Sequence, residues 1–351
     1  MRFRSFAILT ILIAALMLFS ACDISLSPDD SGAYDRGLAA LAEEDYDTAL
    51  AEFEDAVTVD GRAAEGYRGQ GIVYNARGDY KYAVNLFDMA LDAMAVENEE
   101  FTEDVKFYKA ESLKLSLQTD RAIWLYEELT ESSRPNLANA LLGQIYVEQG
   151  DIETAKQYFD AAVENCRDYS IYLTIYDTFK DAHLEADGTA YLEKALDITP
   201  ESASDQMNLG KIYYYLEDNN KAIEWLTKAV DGGSADAVPL LGRIYMDDNN
   251  ISSAKELYQE SLIKGANPAA CYNGLALCSL EENNPNAALS YIEEGLKYED
   301  HTIMKSLLFN EVIAYEQLRD FDTAEQKAKD FLIKYKDDEA MKREYKFLTN
   351  G

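Results

Sequence analysis

The chain has 351 residues and is strongly acidic, because 65 Asp and Glu residues outnumber 32 Lys and Arg and leave a formal net charge of −33. A surface of this charge repels nucleic-acid phosphates and anionic lipid headgroups, which effectively excludes nucleic-acid binding. We interpret the acid excess as a source of solubility outside the cell.

The chain begins with a segment typical of an export signal. Arg2 and Arg4 form a positive start, and residues 6–19 form an apolar run that two small residues follow. The run is shorter than the roughly 20 residues of a comfortable membrane span, and it ends in a cleavage-like sequence. Residues 1–21 are therefore predicted to be a signal peptide.

The signal segment ends in Phe-Ser-Ala-Cys, which resembles the lipobox of bacterial lipoproteins. This resemblance implies that Cys22 receives a diacylglyceryl thioether, carries acyl chains such as palmitate and becomes the new N-terminus. Phe19 departs from the Leu that the family prefers, and an ordinary secretory signal with an accidental Cys is the alternative. Residues 22–31 are predicted to be a flexible tether that holds the protein at the extracytoplasmic face of the cell membrane.

Residues 64–97 are predicted to form two amphipathic helices joined by a tight turn, with small residues where the helices must touch. Asp79, at the turn, is placed to cap the second helix, since its carboxylate accepts from free N–H groups there. The unit resembles the tetratricopeptide repeat (TPR), a 34-residue helix–turn–helix. Gln70 departs from the Leu of the family pattern. The residues that match are Tyr67, Gly71, Tyr74, Gly78, Tyr80, Ala83, Phe87 and Ala90.

This unit recurs nine times, with a small residue of the second helix as anchor. The anchors are Ala49, Ala83, Ala122, Ala155, Gly188, Ala222, Ala254, Ala288 and Ala324. Capping residues precede them by four positions: Asp45, Asp79, Asp151, Asp218, Asn250, Asn284 and Asp320, with Gln118 and Leu184 as exceptions. Twelve positions before the anchor, a Gly or Ala stands in seven units, and Tyr176 and Val312 break that rule.

The resemblance implies an all-α, right-handed superhelical solenoid of about nine TPR-like repeats over residues 32–336. Residues 337–351 are predicted to be a capping helix, which covers the apolar side of the last unit. The Sel1-like repeat is a rival for units seven and eight, with the same architecture. The acidic segment 95–104 is predicted to be a loop at which the solenoid bends or makes an extra contact.

Repeats, tether and cap leave no segment long enough for a catalytic domain, so the chain is predicted not to be an enzyme and to hold no cofactor. Neither His183 nor His301 has a Cys or carboxylate at metal-ligand spacing that the repeat does not explain. We expect Cys166, Cys271 and Cys278 to be buried without disulfides, because their spacing keeps them apart.

TPR domains bind a partner's peptide or helix in a concave groove, which is lined by first-helix positions two, five, nine, twelve and thirteen. By that resemblance the predicted partner-binding residues are Lys180, Asn208, Lys211, Tyr214, Tyr215 and Arg243. Lys211 and Arg243 are expected to receive an acidic group. Interleaved acids make the local charge mixed, so a solvated face with scattered ion pairs is the alternative.

These features imply a membrane-anchored, non-enzymatic scaffold that binds a partner protein. The alternative is an envelope assembly factor of the kind found among TPR lipoproteins of outer-membrane protein insertion or pilus assembly. Asp23, directly after the lipid-bearing Cys22, retains lipoproteins at the inner membrane in some Gram-negative bacteria, which weakens the outer-membrane version of that alternative.

Overall fold

The computed structural model describes residues 32–298 and 300–350, and within them every regular element is an α-helix. The nineteen helices of these residues are α1 (Ala33–Ala42), α2 (Tyr46–Thr58), α3 (Ala63–Ala76), α4 (Tyr80–Asp92), α5 (Glu99–Leu115), α6 (Thr119–Leu129), α7 (Pro135–Gln149), α8 (Ile152–Val163), α9 (Tyr169–Asp181), α10 (Glu185–Ala195), α11 (Ala203–Tyr215), α12 (Asn219–Asp231), α13 (Ala237–Asp247), α14 (Ile251–Ile263), α15 (Pro268–Glu281), α16 (Pro285–Leu296), α17 (His301–Gln317), α18 (Phe321–Lys334) and α19 (Glu339–Asn350). Helices α1 to α18 form nine successive helix–turn–helix pairs, and α19 follows them. The predicted all-α solenoid of about nine repeats is confirmed.

The helices belong to two compact units. The first contains the described residues up to Cys166 together with Asp177–Glu185, and the second contains Arg167–Tyr176 and the described residues from Ala186 onwards. Helix α9 contributes to both units. Pairs one to four therefore lie in the first unit, and pairs six to nine lie in the second.

In five of the nine pairs, the close contact between the two helices depends on a glycine that faces a large side chain sixteen residues later. A Cβ atom added at Gly143 would lie 2.3 Å from Cε1 of Phe159, closer than any real Cβ contact allows. The same relation holds at Gly37 with Phe53, Gly71 with Phe87, Gly210 with Leu226 and Gly242 with Tyr258. These large side chains are almost fully buried and form the centre of each pair.

Each turn inside a pair contains one residue in the left-handed backbone region, always five positions before the anchor. Gly78 and Gly150 meet this demand without steric cost, since glycine has no Cβ. Other residue types occupy it elsewhere: Glu44, Leu117, His183, Glu217, Asn249, Asn283 and Arg319. Nine equivalent turns support the count of nine pairs independently of the side-chain pattern.

Most of the predicted helix caps are confirmed. A side-chain oxygen accepts a hydrogen bond from the third following backbone N–H at Asp45, Asp151, Asp218, Asn250, Asn284 and Asp320. The prediction for Asp79 is wrong, because its side chain makes no capping hydrogen bond although it stands at the N-cap of α4. Asp79 therefore shares its position in the repeat with the other capping residues but does not act as a cap.

The acidic segment 95–104 is mainly helix and not a loop. Helix α5 begins at Glu99, and Asn98 caps it by accepting from the backbone N–H of Phe101 at 3.1 Å. Acidic residues in a first helical turn are favourable because they complement the helix dipole. The prediction of a loop was therefore wrong. Acidic residues favour the start of a helix, but they are also common in solvated linkers.

Cys166, Cys271 and Cys278 are buried free thiols, as the sequence predicted. Burial raises the pKa of both Cys271 and Cys278 to about 11, so these thiols stay protonated and unreactive near neutral pH.

The predicted signal peptide, Cys22 and the tether lie outside the residues that the structure describes. None of the helices it does describe combines the length and apolar character needed to cross a membrane.

Candidate functional site

In pairs two to four, groove positions nine and twelve are occupied by buried side chains. Positions are counted with the small residue of the first helix as position eight, which is Gly71, Ala110 and Gly143 in these pairs. Buried residues at positions nine and twelve are Ile72, Asn75, Glu111, Lys114, Gln144 and Val147, and Phe107 is buried at position five. This part of the first unit therefore presents no accessible side chain at groove positions nine and twelve.

A buried polar network fills the space between pairs three and four. The Nζ atom of Lys114 lies 3.3 Å from Oε2 of Glu111 and 3.6 Å from Oε1 of Glu148, and it donates to Oε1 of Gln144 at 3.3 Å. Burial alone would lower the pKa of Lys114, but the two carboxylates outweigh it and raise that pKa. The hydroxyl of Tyr126 donates to Glu111 at 3.2 Å and completes the network.

A second network joins the first helices of pairs one to three. Arg68 donates from Nη1 to Oδ2 of Asp104 at 2.7 Å and from Nη2 to the hydroxyl of Tyr34. Its guanidinium also lies over the ring of Phe101, 5.2 Å from the ring centroid. The cation of this groove position is therefore neutralised within the chain and is a poor candidate for binding an external carboxylate.

Pairs six and seven differ, because their groove positions remain accessible. Position eight is Gly210 in α11 and Gly242 in α13. Asn208, Lys211, Tyr214 and Tyr215 are half-buried on α11, and Arg243 is exposed on α13. These five side chains are the accessible members of the site predicted from the sequence.

On α11 the predicted site residues contact one another. The Nζ atom of Lys211 lies 5.4 Å from the centroid of the Tyr215 ring, and the rings of Tyr214 and Tyr215 are 6.0 Å apart. A cation over an aromatic face is attracted by the ring, and the ring itself supplies apolar surface.

Arg243 stands at position nine of pair seven, the position that Lys211 occupies in pair six. Burial raises the pKa of Tyr258 on α14 of the same pair, and the charge of Arg243 opposes that rise. Asp236, at the N-cap of α13, and Asp247, its last residue, flank Arg243 in sequence, so the surface is mixed in charge. Lys180 is exposed at the end of α9 and belongs to the first unit.

Tyr176 is a member of this aromatic surface that the sequence analysis did not select. Its ring lies 4.6 Å from that of Tyr215, and its side chain is 7% exposed. The signal was present, since Tyr176 stands where other pairs have Gly or Ala. Its ring therefore packs against the aromatic side chains of α11.

The described part of the chain contains no group of three or more His, Cys, Asp or Glu side chains that could hold a metal ion.

Comparison with known families agrees with the helix pairs. A family model described as Tetratricopeptide repeat matches residues 34–95, and a second one of the same description matches residues 138–169 and 206–231. Tetratricopeptide repeats are present in this chain. The TPR repeat is a protein–protein interaction fold, and proteins built from it are generally non-enzymatic scaffolds. No curated protein matches the sequence.

Several solved structures are similar to this chain at low identity. The APC/C hetero-tetramer Cut9-Hcn1 is 12% identical, with a TM-score of 0.43 and coverage of 96% of this chain and 92% of that chain. PilF of Pseudomonas aeruginosa is 16% identical, with a TM-score of 0.38 and coverage of 56% and 88%. YrrB, described as a TPR protein with an unusual peptide-binding site, is 20% identical, with a TM-score of 0.31 and coverage of 63% and 92%.

Proposed function

We propose that this protein is a membrane-anchored, extracytoplasmic TPR lipoprotein that binds a partner protein through pairs six and seven. The observation that carries the binding site is the contrast in accessibility between pairs. Groove positions nine and twelve in pairs two to four hold buried side chains, whereas Lys211 and Tyr214 are half-buried and Arg243 is exposed. The anchor rests on the lipobox-like sequence before Cys22.

The partner segment is a peptide or helix with an acidic group between apolar side chains. Lys211 and Arg243 receive the acidic group, and a charged hydrogen bond of this kind contributes about 1.5–3 kcal/mol. The rings of Tyr214 and Tyr215 contact the apolar side chains. Because the chain carries a net charge of −33, its accessible cations are the natural contacts for an acidic segment of a partner.

Charge reversal at both positions tests this site. We expect Lys211→Glu with Arg243→Glu to lower affinity for the partner more than about tenfold, since two favourable contacts become repulsive. Partners are first captured on the wild-type chain from detergent-solubilised membranes and identified by mass spectrometry. Affinity is then measured with the purified partner by calorimetry.

The matched control is Lys228→Glu with Lys264→Glu, which changes net charge equally at two exposed positions of the same unit. The control should bind like the wild type, and both double variants should keep wild-type helix content. If the Lys211 and Arg243 variant binds its partner with unchanged affinity, the site lies elsewhere on the protein.

A further inference from the structure

The last helix, α19, covers the end of pair nine. Met341 of α19 is fully buried and belongs to one apolar cluster with Val312 of α17 and Phe331 of α18. A terminal repeat needs such a cover because no further pair stacks on it. Any weakening of α19 therefore exposes Phe331 and Met341 to solvent.

Two carboxyl groups meet where α19 faces α17. Glu316 of α17 lies within hydrogen-bonding reach of Glu344 of α19, and its Oε1 atom is buried with no donor facing it. Two ionised carboxylates offer only acceptors and repel each other. Burial and, after it, the charge of Glu344 raise the pKa of Glu316 to about 7.

The neighbouring lysines have carboxylate partners of their own. Lys327 of α18 pairs with Glu311 at 2.7 Å, and Lys342 of α19 pairs with Glu339 at 2.8 Å. Lys305 of α17 pairs with Asp338 at 2.7 Å. The packed helices also carry Tyr315 on α17, Glu325, Lys329 and Asp330 on α18, Arg343, Tyr345 and Lys346 on α19, and Glu281 on α15, beside Glu282, which pairs with Lys255.

The same repeat position elsewhere in the chain shows what is unusual here. Glu316 stands at position twelve of pair nine, which in pair three is Lys114. Lys114 lies 3.6 Å from Glu148 of the next first helix, so opposite charges join successive pairs there. At the C-terminal end, like charges stand in the equivalent relation.

We propose that the contact between Glu316 and Glu344 is a proton-dependent latch, which holds α19 on pair nine when one proton is shared and releases it when both carboxylates are ionised. The role is independent of the partner-binding groove. Release exposes Phe331 and Met341, so the end of pair nine opens more often at higher pH.

The direction of the pH effect follows from the raised pKa. In the folded state Glu316 keeps its proton up to a higher pH than an exposed glutamate does. The contact is therefore strongest in acid and is lost as pH rises through about 7. Asp300 and Asp338 act oppositely, because burial raises the pKa of each carboxyl group but the hydrogen bonds to it outweigh burial and hold that pKa below its usual range. The stability that these two carboxylates contribute is lost only in acid, as pH falls through their lowered pKa values. This separates their effect from that of Glu316.

Amide hydrogen exchange of the full chain at pH 6 and pH 8 tests the latch, after correction for the intrinsic pH dependence of exchange. We expect the opening of α19 to increase by up to about tenfold between these values in the wild type. Glu316→Gln should abolish that increase, because its amide donates to Glu344 at both pH values. Asp322→Asn, which changes an exposed carboxylate of α18, should retain it.

Glu344→Gln provides a second test of the same contact and should also abolish the increase. Circular dichroism checks that each variant keeps its helix content, and Glu344→Gln carries the test if Glu316→Gln fails to fold. Equal opening of α19 at both pH values in the wild type overturns the proposal. So does a wild-type pH dependence that persists in the folded glutamine variants.

Discussion

At the scale of single residues, the fold depends on small side chains placed opposite large ones. Gly143 lies under the ring of Phe159, and both residues are buried at the centre of pair four. The sequence alone indicated that small residues at this position let two helices approach closely. The structure identifies the group that fills the space, which is an aromatic ring four residues beyond the anchor Ala155.

Gly143→Ala should destabilise the protein by about 1–3 kcal/mol, because the new methyl group overlaps the Phe159 ring and forces it to move. This cost exceeds the gain of up to about 1 kcal/mol that alanine brings to a helix interior. Urea unfolding followed by circular dichroism measures the change. Glu153→Gln in the same pair should alter the stability by less than about 0.5 kcal/mol, and an equal loss at both positions would contradict the assigned helical phase.

At the scale of elements, the turn inside each pair is more restrictive than its sequence suggests. All nine turns require a left-handed residue, yet only two of them use glycine. For a residue with a Cβ this conformation costs roughly 1–2 kcal/mol. Leu117 is the clearest conflict, since it is left-handed and its side chain is 89% exposed.

Leu117→Gly should raise the stability by about 0.5–1 kcal/mol, because it removes backbone strain and gives up almost no buried contact. Gly150→Leu, at the equivalent turn of pair four, should lower the stability by about 1–2 kcal/mol. Denaturant midpoints of the two variants measure both changes. If backbone strain at the turn decides the stability, the two variants must change it in opposite directions. A loss of stability in Leu117→Gly would refute this explanation.

At the scale of the whole molecule, the proposed function depends on which repeats keep accessible side chains and on the proposed lipid anchor. The buried ionic network around Lys114 joins pairs three and four. Removal of one of its members strongly destabilises a fold, because it leaves a buried charge without a partner. Pairs six and seven lack an equivalent closure of their groove positions and keep cations and tyrosines accessible. In the proposed function, the repeats around Lys114 stabilise the fold and pairs six and seven bind the partner.

Cys22→Ala should block lipidation and leave an uncleaved or wrongly cleaved precursor. The wild type is expected to stay with the membrane, because two or three acyl chains anchor firmly whereas one chain binds only marginally. Cell fractionation and the intact mass of the purified protein measure both effects. A wild-type protein found entirely in the soluble fraction, with a ragged N-terminus near residue 22, would show that the lipoprotein assignment is wrong.

The sequence by itself determined the number of repeats, their helical phase and most of the caps, because each depends on residues close together in the chain. The spacing of Gly143 and Phe159, or of Asp151 and Ala155, follows from helix geometry and needs no distant contact. It also located Lys211, Tyr214 and Tyr215 on one helix face. Asp79 and segment 95–104 were misjudged because the same residue types serve caps, helix starts and loops.

Only the tertiary structure decided which groove positions are open and which charges are neutralised. Lys114 and Lys211 are both lysines of first helices, yet one is buried among carboxylates while the other stands over a tyrosine ring. Their surroundings come from residues 30 or more positions away, such as Gln144 for Lys114 and Tyr176 for Tyr215. Burial and charge neutralisation depend on how successive pairs stack, and repeat spacing carries no information about that.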